Sequence, residues 1–227
     1  MTVAFKFLDR PLVIGEGEAG LLVIENTKLY RDTLSMLSCG GEEDLFVFSE
    51  DNVPFNFSQK GMFVSPLEPY LENKKLLTKL SAYFCDVADT ELFEKTAEIK
   101  ASLSFFAEKL AEMCEFDCDY TCIDDTHALI NLFKPRPRAD GDFAERFSTF
   151  LKLSSKYLKT KIFVVQEFRR FFTESETELI YKTLALEHIS LLSIEYLQPA
   201  PALGERIAVI DRELCVIDSE LCVIDSE

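Results

Sequence analysis

Apolar residues alternate with polar ones, or run together briefly, at the two ends of the chain, and recur every three or four positions in its middle. The first two patterns predict strands and the last predicts helices. "VAFKFL" from Val3 alternates, and "LLVIEN" from Leu21 and "LFVFSE" from Leu45 are short β-rich runs, with a helix expected between them over about Thr27 to Ser38. "MFVSPLEPY" closes this part of the chain near Pro66 and Pro69.

From Leu71 the spacing is helical. "YLENKKLLTKLSAYFCDVA" and "DTELFEKTAEIKASLSFFAEKLAEMCEF" predict two helices, the second opened by Asp89 or Thr90 as N-cap. Leu92, Phe93, Ile99, Leu103, Phe106 and Leu110 form one stripe, which suits an arm or partner interface, or packing within the same chain. A strand over "FDCDYTCI" and a helix over "DDTHALINLF" follow, then "GDFAERFSTFLKLSSKYLK" as a further helix. "KIFVVQ" reads as a buried strand and "FFTESETELIYKTLALEH" as a helix with Thr173 and Glu176 in a capping box. "ISLLSIEYL" and "RIAVID" add two strands, and His188 between helix and strand is expected to be structural. The fold predicted is α/β: a mixed-sheet head from residues 1–66 and 160–227, with a mainly α-helical leg, 67–159, inserted.

Composition narrows the function. The 227 residues are 48% hydrophobic with 20 Phe, enough for a substantial core. A formal charge of -16 excludes a protein that coats nucleic acid or anionic membrane with its whole surface. The opening residues lack an apolar run after a basic start, and nowhere do about 18 apolar residues run together, so a cytoplasmic location is expected. The seven cysteines fit reduced thiols better than a disulfide framework.

Charge is unevenly placed. Residues 134–170 carry a net +6 and the rest of the chain -22. Within this window lie the proline-stiffened Lys134, Arg136 and Arg138, a helical ridge of Lys152, Lys156 and Lys159 opposite Phe143, Phe147, Phe150, Leu151 and Leu158, and the pair Arg169 and Arg170. These eight basic residues are the candidate DNA-binding set, since Lys and Arg bind backbone phosphates without reading bases; the competing reading is a solvated face.

The acidic stretch "CEFDCDYTCIDDTH" holds candidate metal ligands. Read as a strand, Phe116, Cys118, Tyr120 and Cys122 share the buried face and Asp117 and Asp119 the other, with Asp124 and Asp125 at the turn. Four carboxylates in nine residues suit a hard cation such as calcium, although Cys122 and Ala128 depart from the EF-hand pattern, and helix capping by solvated acids is the competing reading. Cys114, Cys118, Cys122 and His127 match no zinc knuckle.

The order "KFLDRPLVI", "LLVIEN", "EFDCDYTCIDDTHALINLFKP", "KIFVVQEFRRFFTESETELIYKTLALEHISLLSIEY" and "ERIAVIDRELCVID" resembles the type II-A CRISPR-associated accessory protein of spacer acquisition, from about Val3 to Asp218. The resemblance implies a head like a degenerate P-loop ATPase with an α-helical leg, a homotetrameric ring, and calcium sites that map to the acidic stretch. It also implies double-stranded DNA threaded from its ends through a basic channel. Spacer-integration proteins and the effector nuclease of the same antiviral system would be partners, and no catalytic activity is expected. The absence of GxxxxGK[ST], and of any glycine in "TKLYRDTL", agrees with an expectation of no nucleotide. The expected protein is therefore a non-enzymatic, calcium-holding binder of linear DNA. Two alternatives are a metal-dependent nuclease using Asp117, Asp119, Asp124 and Asp125 with His127 as the nearby base, and a pure protein-interaction scaffold. Residues 214–220 recur at 221–227, which reads as a tandem duplication leaving a redundant tail.

Overall fold

The computed structural model describes residues 1–40, 45–67, 70–138, 140–200, 202 and 205–217. The chain divides into two compact units, Met1–Tyr70 with Ala139–Glu227, and Leu71–Arg138.

The first unit is a mixed α/β structure built on β3 (Ala19–Ile24), whose six residues are all buried. Such a continuous apolar run belongs in a parallel sheet covered on both faces. Parallel partners lie on both sides, β8 (Ser190–Glu195) and β9 (Glu205–Ile210), so strands from the two ends of the chain are joined as expected. Beyond β8 come β7 (Ile162–Gln166) and β6 (Gly61–Val64), also parallel, and beyond β9 the short antiparallel β10 (Val216–Ile217), giving the order β10-β9-β3-β8-β7-β6. Gly20 lets β3 pass close to its neighbour: a β-carbon there would stand 2.7 Å from Ile14 Cδ1.

A second sheet, order β2-β1-β4-β5, is antiparallel and made of β1 (Thr2–Phe5), β2 (Leu12–Val13), β4 (Phe46–Glu50) and β5 (Val53–Phe55). The sequence pattern does not announce it as separate from the first sheet. Its β4–β5 hairpin turns on Asp51 and Asn52, both at positive φ (51° and 63°), as a two-residue turn with the twist of its strands requires. Phe5, Phe46, Phe48 and Phe57 are buried with Leu22, Ile24, Val164 and Ile194 in one core.

Among the described residues, four helices are added to this unit besides the single turn α2 (Phe57–Lys60). α1 (Thr27–Ser38) has the predicted bounds; Asn26 caps it by accepting from Leu29 N at 3.0 Å, and Leu29, Thr33 and Leu37 are its buried face. α7 (Phe168–Phe171) is one turn, and α8 (Glu174–Glu187) starts at the predicted capping box of Thr173 and Glu176. His188 ends α8 in the left-handed conformation (φ 55°) and donates its backbone N–H to Leu184 O, a structural role.

α6 (Phe143–Leu158) differs from expectation. The sequence pattern puts it with the leg, yet it lies in the first unit, with the Phe147 ring tilted against Phe168 and Phe172 and Phe150 edge-on to Phe163. Phe147, Phe150 and Leu151 are buried, so its apolar face completes the core of the head.

The second unit comprises α3 (Lys74–Thr90), α4 (Phe93–Glu112) and α5 (Thr126–Phe133). Leu71, with Leu76, Leu80 and Ala88 of α3 and Leu129 and Ile130 of α5, are buried apolar residues of this unit. The predicted N-cap of α4 is corrected: Asp89 and Thr90 finish α3, and Leu92 stands at the N-cap of α4 with no side-chain cap hydrogen bond. Asp89 instead accepts from Thr126 Oγ1, while Thr96 Oγ1 donates to Ala88 O. The predicted strand over residues 116–123 is absent, since the alternation has no partner strand to pair with; Phe116 is 75% exposed. The second copy of the terminal repeat, residues 221–227, lies outside the described residues.

Candidate functional site

α6 turns one face to the core and presents Lys152, Lys156 and Lys159 to solvent on the other. Lys159 closes the helix in the left-handed conformation, and Lys152 Nζ lies 3.5 Å from Glu187 of α8. Such an exposed pair contributes little to stability, and its lysine can exchange Glu187 for another anion at small cost. Lys134, Arg136 and Arg138 belong to the second unit, with Lys134 ending α5 at φ 46°.

Arg169 is a correction. Its guanidinium is buried and committed to Glu205, with Tyr181 Oη donating to the same carboxylate, and Arg169 Nη2 also donates to Ala200 O. Burial works against its charge, but Glu205 more than restores it and raises its pKa. It is therefore a structural cation rather than a phosphate ligand. Arg170 is exposed and lies 3.2 Å from Glu167 Oε2.

The acidic segment does not assemble a metal site: among the described residues no group of three or more His, Cys, Asp or Glu is arranged to hold an ion. Asp125 caps α5 by accepting from His127 N, and Asp119 accepts from Tyr120 N. Asp124 contributes its backbone carbonyl to Lys100 Nζ. Capping, the competing reading, accounts for Asp125.

What sequence reasoning missed is a set of buried glutamates in the first unit. Glu167 follows β7 in the left-handed conformation (φ 50°) and accepts from Tyr30 Oη at 2.6 Å and Tyr196 N at 2.8 Å. Glu195 ends β8 at 1% exposure and Glu205 opens β9 at 6%. Burial, then the Glu167 bond, pushes the Tyr30 phenol well above its usual range, and burial with Glu205 does the same to Tyr181. A signal was present: a charged residue inside an apolar strand, as in "LLSIE" and "ERIAVI", needs a buried partner.

Among the described residues no helix is long and apolar enough to cross a membrane. No family model and no curated protein matches the chain. Two solved structures resemble it at 12% identity. One is the ADP conformation of an ATP-binding cassette of an ABC transporter, with a TM-score of 0.42 over 87% of this chain and 81% of that one. The other is described as an ABC transporter ATP-binding protein from Pyrococcus furiosus, with a TM-score of 0.41 over 92% of this chain and 97% of that one. Against neighbours that bear ATP-binding names, the expectation of a non-catalytic, non-enzymatic protein that acts only by holding DNA ends, with calcium and no nucleotide, is corrected and not kept. At 12% identity these neighbours likewise assign no chemistry to individual residues of this chain.

Proposed function

We propose that the protein works as an assembly of like copies joined through the apolar surface of its helical unit, a cytoplasmic protein of the type II-A CRISPR accessory class. The observation that carries this reading is α4. Thr96 is the buried residue of this 20-residue helix, whereas Phe93, Phe105, Phe106 and Leu110 are 65%, 60%, 61% and 52% exposed. Met113 just beyond it is 84% exposed. Large apolar side chains this exposed along one helix mark a surface that a partner covers. The sequence resemblance supports a homotetramer, and supports the spacer-integration proteins and effector nuclease of the same system as further partners.

Replacing Phe93 and Phe106 together by Glu tests the reading. Burial of each Phe is worth about 1.5–3 kcal/mol, so assembly should weaken by roughly 100-fold or more and sedimentation should show 25.9 kDa chains with unchanged circular dichroism. A variant that assembles like the wild type would remove the basis for the proposal.

The lysine face of α6 favours double-stranded DNA as a partner of the assembly, linear molecules included. Phosphate contacts by lysine are strongest at low salt and weaken steeply as salt rises. The Lys152→Glu/Lys156→Glu/Lys159→Glu variant is expected to lose a low-salt gel shift of linear duplex while keeping the wild-type fold, because all three side chains are exposed. An unchanged shift would remove α6 from the contact.

A further inference from the structure

Three buried glutamates share two arginines, and how their oxygens are served differs from one to the next. Glu205 is served on both: Arg169 Nη1 and Tyr181 Oη reach Oε1, and Ala202 N donates to Oε2 at 2.9 Å. Glu167 takes Tyr30 Oη and Tyr196 N on Oε1, and Arg170 Nε stands 3.2 Å from Oε2 as a charge contact off the line of a hydrogen bond. Glu195 is one-sided. Ser193 Oγ donates at 2.6 Å and Arg169 N at 2.9 Å, both to Oε1, and no described group donates to Oε2.

A carboxylate has two equivalent acceptor oxygens, whereas a carboxylic acid has one carbonyl acceptor and one hydroxyl. Two donors converging on one oxygen, with no cation at the other, fit the acid. The charge balance agrees: Arg169 is committed to Glu205 and Arg170 to Glu167, which leaves Glu195 without a cation while buried to 1% exposure. An ionised carboxyl buried without a counter-charge is far costlier than a neutral one.

We propose that Glu195 is carried as a neutral acid in the native protein and makes the stability of the head fall as pH rises. The groups facing it fix the sign. Glu167, on the turn after β7, repels a second negative charge. The Arg169 guanidinium opposes that effect but is spent on Glu205, and Ser193 and Arg169 N contribute dipoles only. Tyr30 and Tyr181 stay neutral, being held above their usual range. Burial, the largest cause, together with Glu167 outweighs the hydrogen bonds and raises Glu195 above the ordinary glutamate value. The native state therefore binds a proton that the unfolded chain has released. The stabilisation is fully present below the unfolded value of about 4.3 and is lost as pH passes upward through the native one.

Glu195→Gln keeps an acceptor for Ser193 and Arg169 and cannot ionise. The urea midpoint of the wild type is expected to fall as pH rises above the unfolded glutamate value of about 4.3, while that of the variant changes less, the two profiles converging at the acid end. In the infrared spectrum, the carbonyl stretch of a protonated carboxyl should be present in the wild type at neutral pH and missing from the variant. Parallel profiles, or equal spectra, would overturn the proposal. Should the variant fail to fold, unfolding of the unbuffered wild type at neutral pH is expected to release a proton to the solution, and no release would refute it.

Discussion

Replacing Glu205 by leucine is expected to cost about 3–5 kcal/mol, the range for removing one member of a buried ion pair and leaving the other charge without a partner. Glu205 has a fully buried side chain, and that of Arg169 is 8% exposed, so water cannot take the carboxylate's place. The substitution also strips an acceptor from Tyr181, whose hydroxyl donates to the same oxygen. For a chain of this size that corresponds to a melting temperature lower by roughly 6–20 °C. The double variant Arg169→Met/Glu205→Leu separates the contributions. An apolar pair of similar volume removes the stranded charge, so it should recover most of the loss. A double variant no better than Glu205→Leu would show that shape, rather than charge, governs this position.

Phe147→Ala is expected to destabilise the head by about 3–5 kcal/mol. Its ring is fully buried, with centroids 6.1 Å from Phe168 and 5.0 Å from Phe172. Those partners belong to α7 and the residue that follows it, so the loss should appear in unfolding of the α/β unit. Deuterium exchange localises it: amides of β7 and β8 should exchange faster, and those of α3 and α5 should not change. Faster exchange confined to α3 and α5 would return α6 to the helical leg, where the sequence first placed it.

That misplacement shows what a hydrophobic pattern can tell. The period of α6 gives its buried face, with Phe147, Phe150 and Leu151 on one side and three lysines on the other, and the structure keeps that division. It carries no information about which neighbour the face meets. α1 was legible from its spacing between two strands, and the structure adds the local device that fixes its start, the Asn26 cap. β3, β7 and β8 were legible because near-continuous apolar runs of this length suit strands buried on both faces. Residues 116–123 misled because alternation alone does not make a strand without a partner that supplies hydrogen bonds.

The candidate site was legible only where charge is exposed. Lys152, Lys156 and Lys159 stand on the surface as the helical period predicts. Arg169 and Arg170 are adjacent in sequence, and nothing local separates the buried one from the exposed one; the difference comes from Glu205, 36 residues downstream of Arg169. Asp117, Asp119, Asp124 and Asp125 are close in sequence, but no described group of three ligands forms, because their segment is irregular and Asp125 is taken up by α5.

Self-association through the helical unit is the claim from which the rest of the functional reading follows, and the mass of the wild-type particle tests it most directly. Sedimentation equilibrium over a range of concentrations should give a mass that is a multiple of 25.9 kDa, four-fold for the tetramer, and that falls on dilution. A mass of 25.9 kDa at every concentration would contradict the account.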